Sequence, residues 1–237
     1  VEIREPDVSP LQLQGPKSRE IMCAIFGEWV RELRYYRCRE FELDGIPLVI
    51  SRTGWSNELG YEIYLRDSAF GDDLWERIMA VGEPMGLYVG HTSTIRRIEG
   101  AMLSYITDMN IENNPFELGW DRLVDLEMEA DFIGKEALCQ IKANGVKQLH
   151  VGVELDGPPL MHPNGKHWPV FVGDEQIGKI TSAVYSPRLQ RNIGLAMLKI
   201  DYTALGTTAT AETADGPRTI TVVPKPFYDP KKKLASA

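Results

Sequence analysis

The order of predicted strands and helices in the first hundred residues constrains the fold most. Leu11 to Gln14 alternates apolar and polar residues, which indicates a strand, and an Asp44-Gly45 turn between two apolar-rich runs predicts a β-hairpin. In chain order, the predicted elements are strand 11–14, helix 17–26, strands 35–43, 47–52 and 60–65, a helix from Ser68 that ends before Gly86, strand 87–89 and helix 92–102. This order is typical of the split βαβ, ferredoxin-like arrangement of α+β proteins.

The second part of the chain has a different pattern. From Gln148 onward, Gly, Pro and Asp turns separate short strand-like runs at 148–155, 168–172, 175–184, 191–200, 207–213 and 218–224. Regular short strands with such turns predict a small antiparallel β-barrel or sandwich. A turn-rich segment and a predicted helix at 134–143 precede them. We therefore place a domain boundary near residue 147 and predict two domains, 1–147 and 148–237.

Charge and composition exclude several classes of protein. The chain has 34 acidic and 26 basic side chains and a net charge of −8, which disfavours nucleic acid because Lys and Arg must neutralise its phosphates. No apolar run approaches the ~18 residues of a membrane span. Three cysteines without a C-x-x-C pair indicate a reducing, cytoplasmic location. The basic cluster from Lys231 to Lys233 is predicted to be a solvated tail.

The motifs of common catalytic sites are missing from the sequence. Gly54 and Gly60 lack the spacing of dinucleotide and P-loop signatures, and no G-x-S-x-G elbow occurs. The four histidines are scattered; His162 and His167 share one Pro/Gly-rich loop, where a surface histidine is commoner than a metal ligand. We therefore predict no bound metal and no Ser or Cys hydrolase.

The segment around Trp55 is the densest cluster of polar and aromatic side chains, and it joins two predicted strands. On the second strand, Glu62 and Tyr64 share one face, while Tyr61 and Ile63 share the other. A strand carboxylate beside a Trp-bearing loop can accept hydrogen bonds from a ring N–H donor. The alternative is a solvated Glu62 on an edge strand beside a packed Trp55, and composition alone favours this alternative.

A second cluster, from Arg96 to Tyr105, contains two adjacent arginines on a predicted helix. Consecutive helical residues point about 100° apart, so Arg96 and Arg97 face different directions. The residues alone favour one inward arginine that pairs with a carboxylate and one solvated arginine.

Eight short segments carry a resemblance to a known family. They are Leu13 to Ser18 (LQGPKS), Thr53 to Glu62 (TGWSNELGYE), Arg97 to Gly100 (RIEG), Asn114 to Trp120 (NPFELGW), Asp131 to Leu138 (DFIGKEAL), Gly178 to Ser182 (GKITS), Asn192 to Gly194 (NIG) and Pro226 to Pro230 (PFYDP). In this order they resemble the glycine-cleavage T-protein family of folate-dependent aminomethyltransferases, and the similarity covers essentially the whole chain.

The resemblance implies a fold of three lobes around a central folate channel, in which this chain forms a ferredoxin-like portion and a C-terminal β-barrel. It implies tetrahydrofolate as the cofactor. It assigns folate binding to Glu62, which matches the carboxylate that bonds the pterin N–H groups, and to Arg97. It assigns substrate binding to Trp55 and Tyr105.

Within the family, the chain is most similar to the dimethylsulfoniopropionate demethylase branch, which transfers a sulfonium methyl group to tetrahydrofolate. Trp55 replaces a usual Tyr, and Ser93 stands where the glycine-cleavage enzymes carry a folate-contacting Arg. The predicted function is therefore tetrahydrofolate-dependent demethylation of a small methylated zwitterion. The alternatives are a glycine-cleavage aminomethyltransferase, whose partner is a lipoyl carrier protein, and a folate-binding module without catalysis.

The first residue of the sequence is Val1. In the family, a preceding N-terminal part carries an Asp and aromatic residues that contact the folate amine. The resemblance therefore implies that the catalytic residues lie in that part, and no catalytic residue is predicted in this chain. We expect the N-terminal half of the same protein, or a separate chain, as a partner.

Overall fold

The computed structural model describes residues 1–236. Contacts divide the chain into two compact units, of which the first contains residues 1–93 and 231–236 and the second contains 94–230. Each unit has a hydrophobic core of its own.

The first unit is a four-stranded antiparallel sheet with two helices. Its strands are β1 (Ser9–Gln14), β2 (Cys38–Leu43), β3 (Ile46–Ser51) and β4 (Gly60–Leu65), in the order β1-β4-β3-β2, and its helices are α1 (Ser18–Phe26) and α2 (Gly71–Gly82). The predicted hairpin is confirmed: Asp44 and Gly45 have positive φ values of 50° and 90°, as a tight two-residue turn between β2 and β3 requires.

The two helices cover one face of this sheet. The core contains Ile46, Leu48 and Ile50 of β3, Tyr61, Ile63 and Leu65 of β4, Ile21, Met22 and Phe26 of α1, and Leu74 and Ile78 of α2. Burial of each large apolar side chain contributes about 1.5–3 kcal/mol, so this face holds the helices on the sheet. Because side chains alternate along a strand, Glu62 and Tyr64 lie on the opposite face, as predicted.

The predicted strand at 87–89 is not formed, and this prediction was wrong. Gly86 has a positive φ of 92°, and the N–H of Leu87 bonds back to a carbonyl of α2 at 2.9 Å, which is a helix C-cap pattern. The Leu87 side chain packs on the core, whereas Tyr88 and Val89 are 84% and 64% exposed. This apolar run belongs to a helix cap, so the sheet lacks the last strand of the split βαβ pattern.

The second unit contains a closed six-stranded antiparallel β-barrel, which confirms the predicted fold class. Its strands are β5 (Gln148–Leu155), β6 (Trp168–Val172), β7 (Glu175–Ser186), β8 (Arg191–Lys199), β9 (Thr208–Thr213) and β10 (Gly216–Val223), and the closed order is β10-β5-β8-β7-β6-β9. Its core includes Val153, Val170, Ile177, Ile180, Ala196, Leu198 and Ile220. Closure pairs every strand on both sides, so the barrel has no open edge.

The segment 94–147 packs on the barrel. It contains the helices α3 (Thr94–Glu99) and α4 (Lys135–Asn144). Ile98 of α3 forms a small buried cluster with Val184, Ile193 and Leu195 of β7 and β8. These contacts group the segment 94–147 with the barrel in one compact unit. The domain boundary near residue 147 stays a prediction.

The C-terminal residues belong to the first unit. A single turn of helix, α5 (Lys233–Ser236), buries Ala235 to 4% exposure, and the carbonyl of Ala235 accepts a hydrogen bond from Arg52 at 2.9 Å. Lys231 and Lys233 are exposed. The predicted solvated tail is therefore correct for these lysines and wrong for the backbone after them, because the buried Arg52 requires acceptors.

Candidate functional site

The polar face of the first sheet carries a row of side chains across all four strands. The strand register places Gln12 opposite Glu62, Glu62 opposite Ser51, and Ser51 opposite Cys38. Glu62 is half-buried, while Gln12 and Cys38 are exposed. The carboxylate therefore lies on a central strand, in the middle of a polar surface.

Glu62 is the centre of a hydrogen-bond network. Its Oε2 accepts bonds from the hydroxyls of Thr53 and Tyr64, the latter at 3.2 Å, and its Oε1 accepts a bond from the amide of Gln12 at 3.3 Å. The Thr53 hydroxyl also lies 2.7 Å from that of Ser51. Such bonds hold the orientation of the carboxylate. The structure thus shows an oriented carboxylate instead of a freely solvated one on an edge strand.

Among the hydrogen-bond donors to Glu62, Tyr64 has a raised pKa. Burial raises the pKa of the Tyr64 phenol, and the negative charge of Glu62 raises it further. Because the unperturbed pKa of tyrosine is already about 10, the phenol stays protonated near neutral pH and serves as a donor.

Gln14 of β1 holds the loop that carries Trp55. Its Nε2 donates to the carbonyls of Tyr61 and Thr53 at 3.1 and 3.4 Å, and its Oε1 accepts the Ser56 hydroxyl at 2.6 Å. The loop is therefore attached to the sheet on both sides of Trp55, whose indole is half-buried.

Two glycines allow this attachment. A Cβ added at Gly54 or Gly60 would lie 2.2 or 2.1 Å from the side-chain oxygen of Gln14. Any larger residue at either position would displace the amide that holds the loop. The glycine spacing that matched no phosphate-binding signature therefore has a structural explanation.

Arg52 anchors the start of the same loop from inside the first unit. It is 1% exposed, donates to the carbonyl of Gly60 at 3.2 Å, and lies over the ring of Tyr61 at 5.1 Å. Burial lowers the pKa of Arg52. No local sequence pattern distinguishes a buried arginine from a solvated one, so the role of Arg52 was not predicted.

In the second unit, Arg97 and Asp108 form a buried ion pair. Their Nη1 and Oδ2 atoms are 2.8 Å apart, and the two residues are 6% and 3% exposed. Asp108 also accepts bonds from the hydroxyls of Ser182 and Thr181 at 2.6 and 2.7 Å and from the N–H of Ser104 at 2.8 Å. A carboxylate accepts about four hydrogen bonds, so Asp108 is saturated.

Arg97 is the inward arginine that helix geometry predicts. It bonds Ser182 as well as Asp108, so it links α3 to β7 as a structural cation. Tyr105 is 59% exposed. The structure therefore brings Glu62 and Trp55 into the first unit and Arg97 and Tyr105 into the second. The folate and substrate contacts assigned to Arg97 and Tyr105 stay predictions.

The second unit contains a buried pair that no sequence pattern indicated. His150 is 1% exposed, and its Nδ1 lies 2.9 Å from the Nζ of Lys225. Burial lowers the pKa of His150 to about 3 and that of Lys225 to about 8. The imidazole is therefore neutral at pH 7 and accepts a bond from the ammonium group. Pairs of this kind depend on barrel closure and leave no local sequence signal.

Residues 1–236 contain neither a cluster of metal-ligand side chains nor a membrane-spanning helix. In this range, no three His, Cys, Asp or Glu side chains come together as a ligand set. No helix within the same described range is long and apolar enough to cross a membrane. Cys23 is buried, and Cys38 and Cys139 are exposed free thiols.

Comparisons with known proteins identify the family. Residues 1–128 match the GCVT N-terminal domain, and residues 148–229 match the glycine cleavage T-protein C-terminal barrel domain. The chain belongs to the glycine cleavage T-protein family. This result confirms the resemblance found in the sequence motifs.

Two curated T-protein relatives carry different names. The dimethylsulfoniopropionate demethylase DmdA of Ruegeria pomeroyi is 38% identical over 226 residues, and an aminomethyltransferase of Bacillus mycoides is 36% identical over 232 residues. These alignments cover 94% and 95% of this chain but 60% and 62% of the relatives. The chain thus spans less than two thirds of the length of the T-proteins that it matches.

A solved T-protein structure has the same fold. The crystal structure of the glycine cleavage system aminomethyltransferase T from Bartonella henselae aligns with a TM-score of 0.81 and covers 94% of this chain and 60% of that chain. The sequence identity is 21%, so this likeness shows the fold alone.

Proposed function

We propose that this T-protein family member binds tetrahydrofolate and serves methyl transfer from a small methylated zwitterion such as dimethylsulfoniopropionate. The observation that carries the proposal is the Glu62 carboxylate, which is half-buried on a polar face and oriented by neighbouring donors. In this proposal Glu62 binds the pterin and Trp55 binds the methyl donor. Bound tetrahydrofolate supplies the nitrogen that accepts the methyl group.

The donor set around Glu62 fits a pterin edge. Such an edge presents an amino group and a ring N–H side by side, and a carboxylate accepts this pair through two charge-assisted bonds. Among the described residues, Gln12 is the donor to Oε1, at 3.3 Å, so this oxygen retains acceptor capacity. Glu62 would therefore hold and orient the ring.

Trp55 fits a cationic methyl donor. Its loop is attached to β1 through Gln14, so the indole has a defined position. An indole face attracts a desolvated cation by about 2 kcal/mol. A sulfonium releases a neutral thioether, a good leaving group, so the role of the protein is to hold the methyl group in line with its acceptor.

Arg97 and Tyr105 of the second unit are proposed as a folate and a substrate contact on the basis of the family motif alone. The exposed ring of Tyr105 is available to a substrate. The Arg97 guanidinium bonds Asp108 and Ser182, so we propose that it acts through the segment it positions.

A second candidate is the aminomethyltransferase reaction of glycine cleavage, with a lipoyl carrier protein as partner. The near-equal identities of 38% and 36% to a demethylase and an aminomethyltransferase favour keeping it. For either reaction, we propose that a segment equivalent to the unmatched part of the relatives supplies the catalytic groups, and that the protein acts in the cytoplasm. Without such a segment, the chain would be a folate-binding module.

Product analysis distinguishes these functions. The protein is incubated with tetrahydrofolate and, separately, dimethylsulfoniopropionate, a methylated amine or an aminomethylated lipoyl carrier protein. We expect 5-methyltetrahydrofolate from the sulfonium substrate, and much less of it with Glu62→Gln at a tetrahydrofolate concentration that does not saturate the variant. Methylenetetrahydrofolate from the carrier protein alone would instead establish the aminomethyltransferase. Folate binding without turnover of any donor would leave the non-catalytic module.

A further inference from the structure

We propose that the Tyr64 hydroxyl is a placeholder donor, which occupies a lone pair of Glu62 until a ligand N–H group displaces it. The inference rests on the proposed binding of folate by Glu62 and deepens it. In this role Tyr64 is a positioning residue. Before a ligand binds, it orients the Glu62 carboxylate, and it lowers the affinity of that carboxylate for the ligand.

The number of acceptor positions on Glu62 leads to this inference. A carboxylate oxygen accepts about two hydrogen bonds. Thr53 and Tyr64 both donate to Oε2, so that oxygen is full, while Oε1 holds Gln12 among the described residues. A ligand with two adjacent N–H donors needs one position on each oxygen. Two-point binding therefore has to remove one of the two hydroxyls from Oε2.

Of these two hydroxyls, that of Thr53 is held more firmly. Its Oγ1 bonds Glu62 and also lies 2.7 Å from the hydroxyl of Ser51. A threonine side chain has a single, stiff torsion, so its hydroxyl cannot leave without a change of rotamer. Thr53 is therefore the donor that stays.

Tyr64 has the features of the donor that leaves. Its hydroxyl is 3.2 Å from Oε2, and its ring is half-buried on the same strand face as Glu62. Rotation about the side-chain torsions of Tyr64 breaks this bond and opens the position on Oε2. Burial and the charge of Glu62 raise the pKa of the phenol, so it remains a neutral donor in the empty site. An empty site thus avoids an unpaired acceptor.

Calorimetric titration tests the proposal. The protein is titrated under anaerobic conditions with tetrahydrofolate and with a tetrahydropterin that lacks the glutamyl tail. Tyr64→Phe keeps the ring but removes the competing hydroxyl, so we expect both probes to bind about fivefold more tightly, the typical effect of one net hydrogen bond.

Thr53 provides the matched control. Thr53→Val leaves the Tyr64 hydroxyl on the position that the ligand needs and removes the second bond that orients Oε2, so it is expected to weaken binding of both probes by about fivefold. Thr53→Ser keeps the hydroxyl group and should bind both probes with the wild-type affinity. Opposite signs at positions 53 and 64 distinguish a displaced donor from two structural residues, whose loss would weaken binding in both variants.

Each remaining outcome has one meaning. Unchanged or weaker binding by Tyr64→Phe overturns the placeholder role, and the folate function stands if Glu62→Gln still reduces the affinity. If the wild-type protein binds neither probe, the folate function itself fails. If Tyr64→Phe does not fold, 3-fluorotyrosine at position 64 replaces it: its more acidic hydroxyl is a stronger competitor, so binding must weaken, and equal or tighter binding overturns the proposal.

Discussion

Each unit contains a carboxylate that accepts hydrogen bonds from hydroxyl groups. The two carboxylates differ in their exposure and in the acceptor positions that they leave for a ligand. Asp108 is 3% exposed, accepts four hydrogen bonds and is paired with a guanidinium. Glu62 is half-buried and accepts three bonds from neutral groups. Sequence alone presents both as acidic residues near serine or threonine.

The physical reason for the difference is the cost of burying charge. A carboxylate removed from water must be paired and fully bonded, which leaves no acceptor for a ligand. A half-exposed carboxylate retains water on one side and needs no cation. The saturated residue therefore stabilises the second unit, whereas the other has the chemistry of a binding group.

The largest expected effect is the loss of stability when Asp108, the buried and fully bonded carboxylate, is replaced. Asp108→Asn removes the charge opposite Arg97 and places an amide donor among existing donors. Breaking a buried pair in this way typically lowers the free energy of unfolding by about 3–5 kcal/mol. Urea denaturation at pH 7 measures it. Stability within about 0.5 kcal/mol of wild type, the usual range for surface substitutions, would show that Asp108 is not structural.

Acid should lower the free energy of unfolding of the second unit, which contains His150. Burial lowers the pKa of His150 to about 3, against about 6.5 in the unfolded chain. Between these pH values the unfolded chain binds a proton that the folded chain does not. The free energy of unfolding therefore falls as the pH falls, by about 3 kcal/mol at pH 4 from this group. Urea midpoints at pH 7 and pH 4 measure the loss, which should be smaller in His150→Gln; equal losses would contradict a buried neutral imidazole.

Replacing Glu62, the half-buried carboxylate, should affect folate binding more than stability. Glu62→Gln removes a charged acceptor, so folate affinity should fall roughly tenfold to a hundredfold, the equivalent of about 1.5–3 kcal/mol. The free energy of unfolding should change by less than about 1 kcal/mol, since the residue is half-exposed. Calorimetric titration and urea denaturation measure the two quantities. A variant that unfolds readily but binds folate normally would make Glu62 structural, like Asp108.

The smallest expected effect concerns Trp55. Trp55→Phe retains an aromatic face and should weaken binding of a sulfonium donor modestly, whereas Trp55→Leu should weaken it by up to about thirtyfold, the equivalent of about 2 kcal/mol. Folate binding should stay nearly constant in both. An uncharged thioether analogue is the control, because it should bind wild type and Trp55→Leu equally. If both variants lose thermal stability and bind donor and folate equally poorly, Trp55 is a packing residue.

Local patterns predicted much of the first unit and the barrel. Alternation along β4 placed Glu62 on the face opposite to Tyr61 and Ile63, and the structure confirms it. The same approach failed at 87–89, because an apolar run that caps a helix has the same composition as a short strand. The helix pattern identified an inward arginine, but its partner Asp108 lies in a turn-rich segment without periodicity.

The sequence by itself determined the two kinds of fold, the face on which Glu62 lies and the family motifs, because side-chain periodicity and turn residues act over a few positions. Tertiary structure alone decided which polar groups are buried and fully hydrogen-bonded and which keep acceptor positions for a ligand. Gln12 and Glu62 are 50 positions apart, and Arg97 and Ser182 are 85 apart. Such pairs depend on strand register and on packing against the barrel, and local sequence patterns do not specify either.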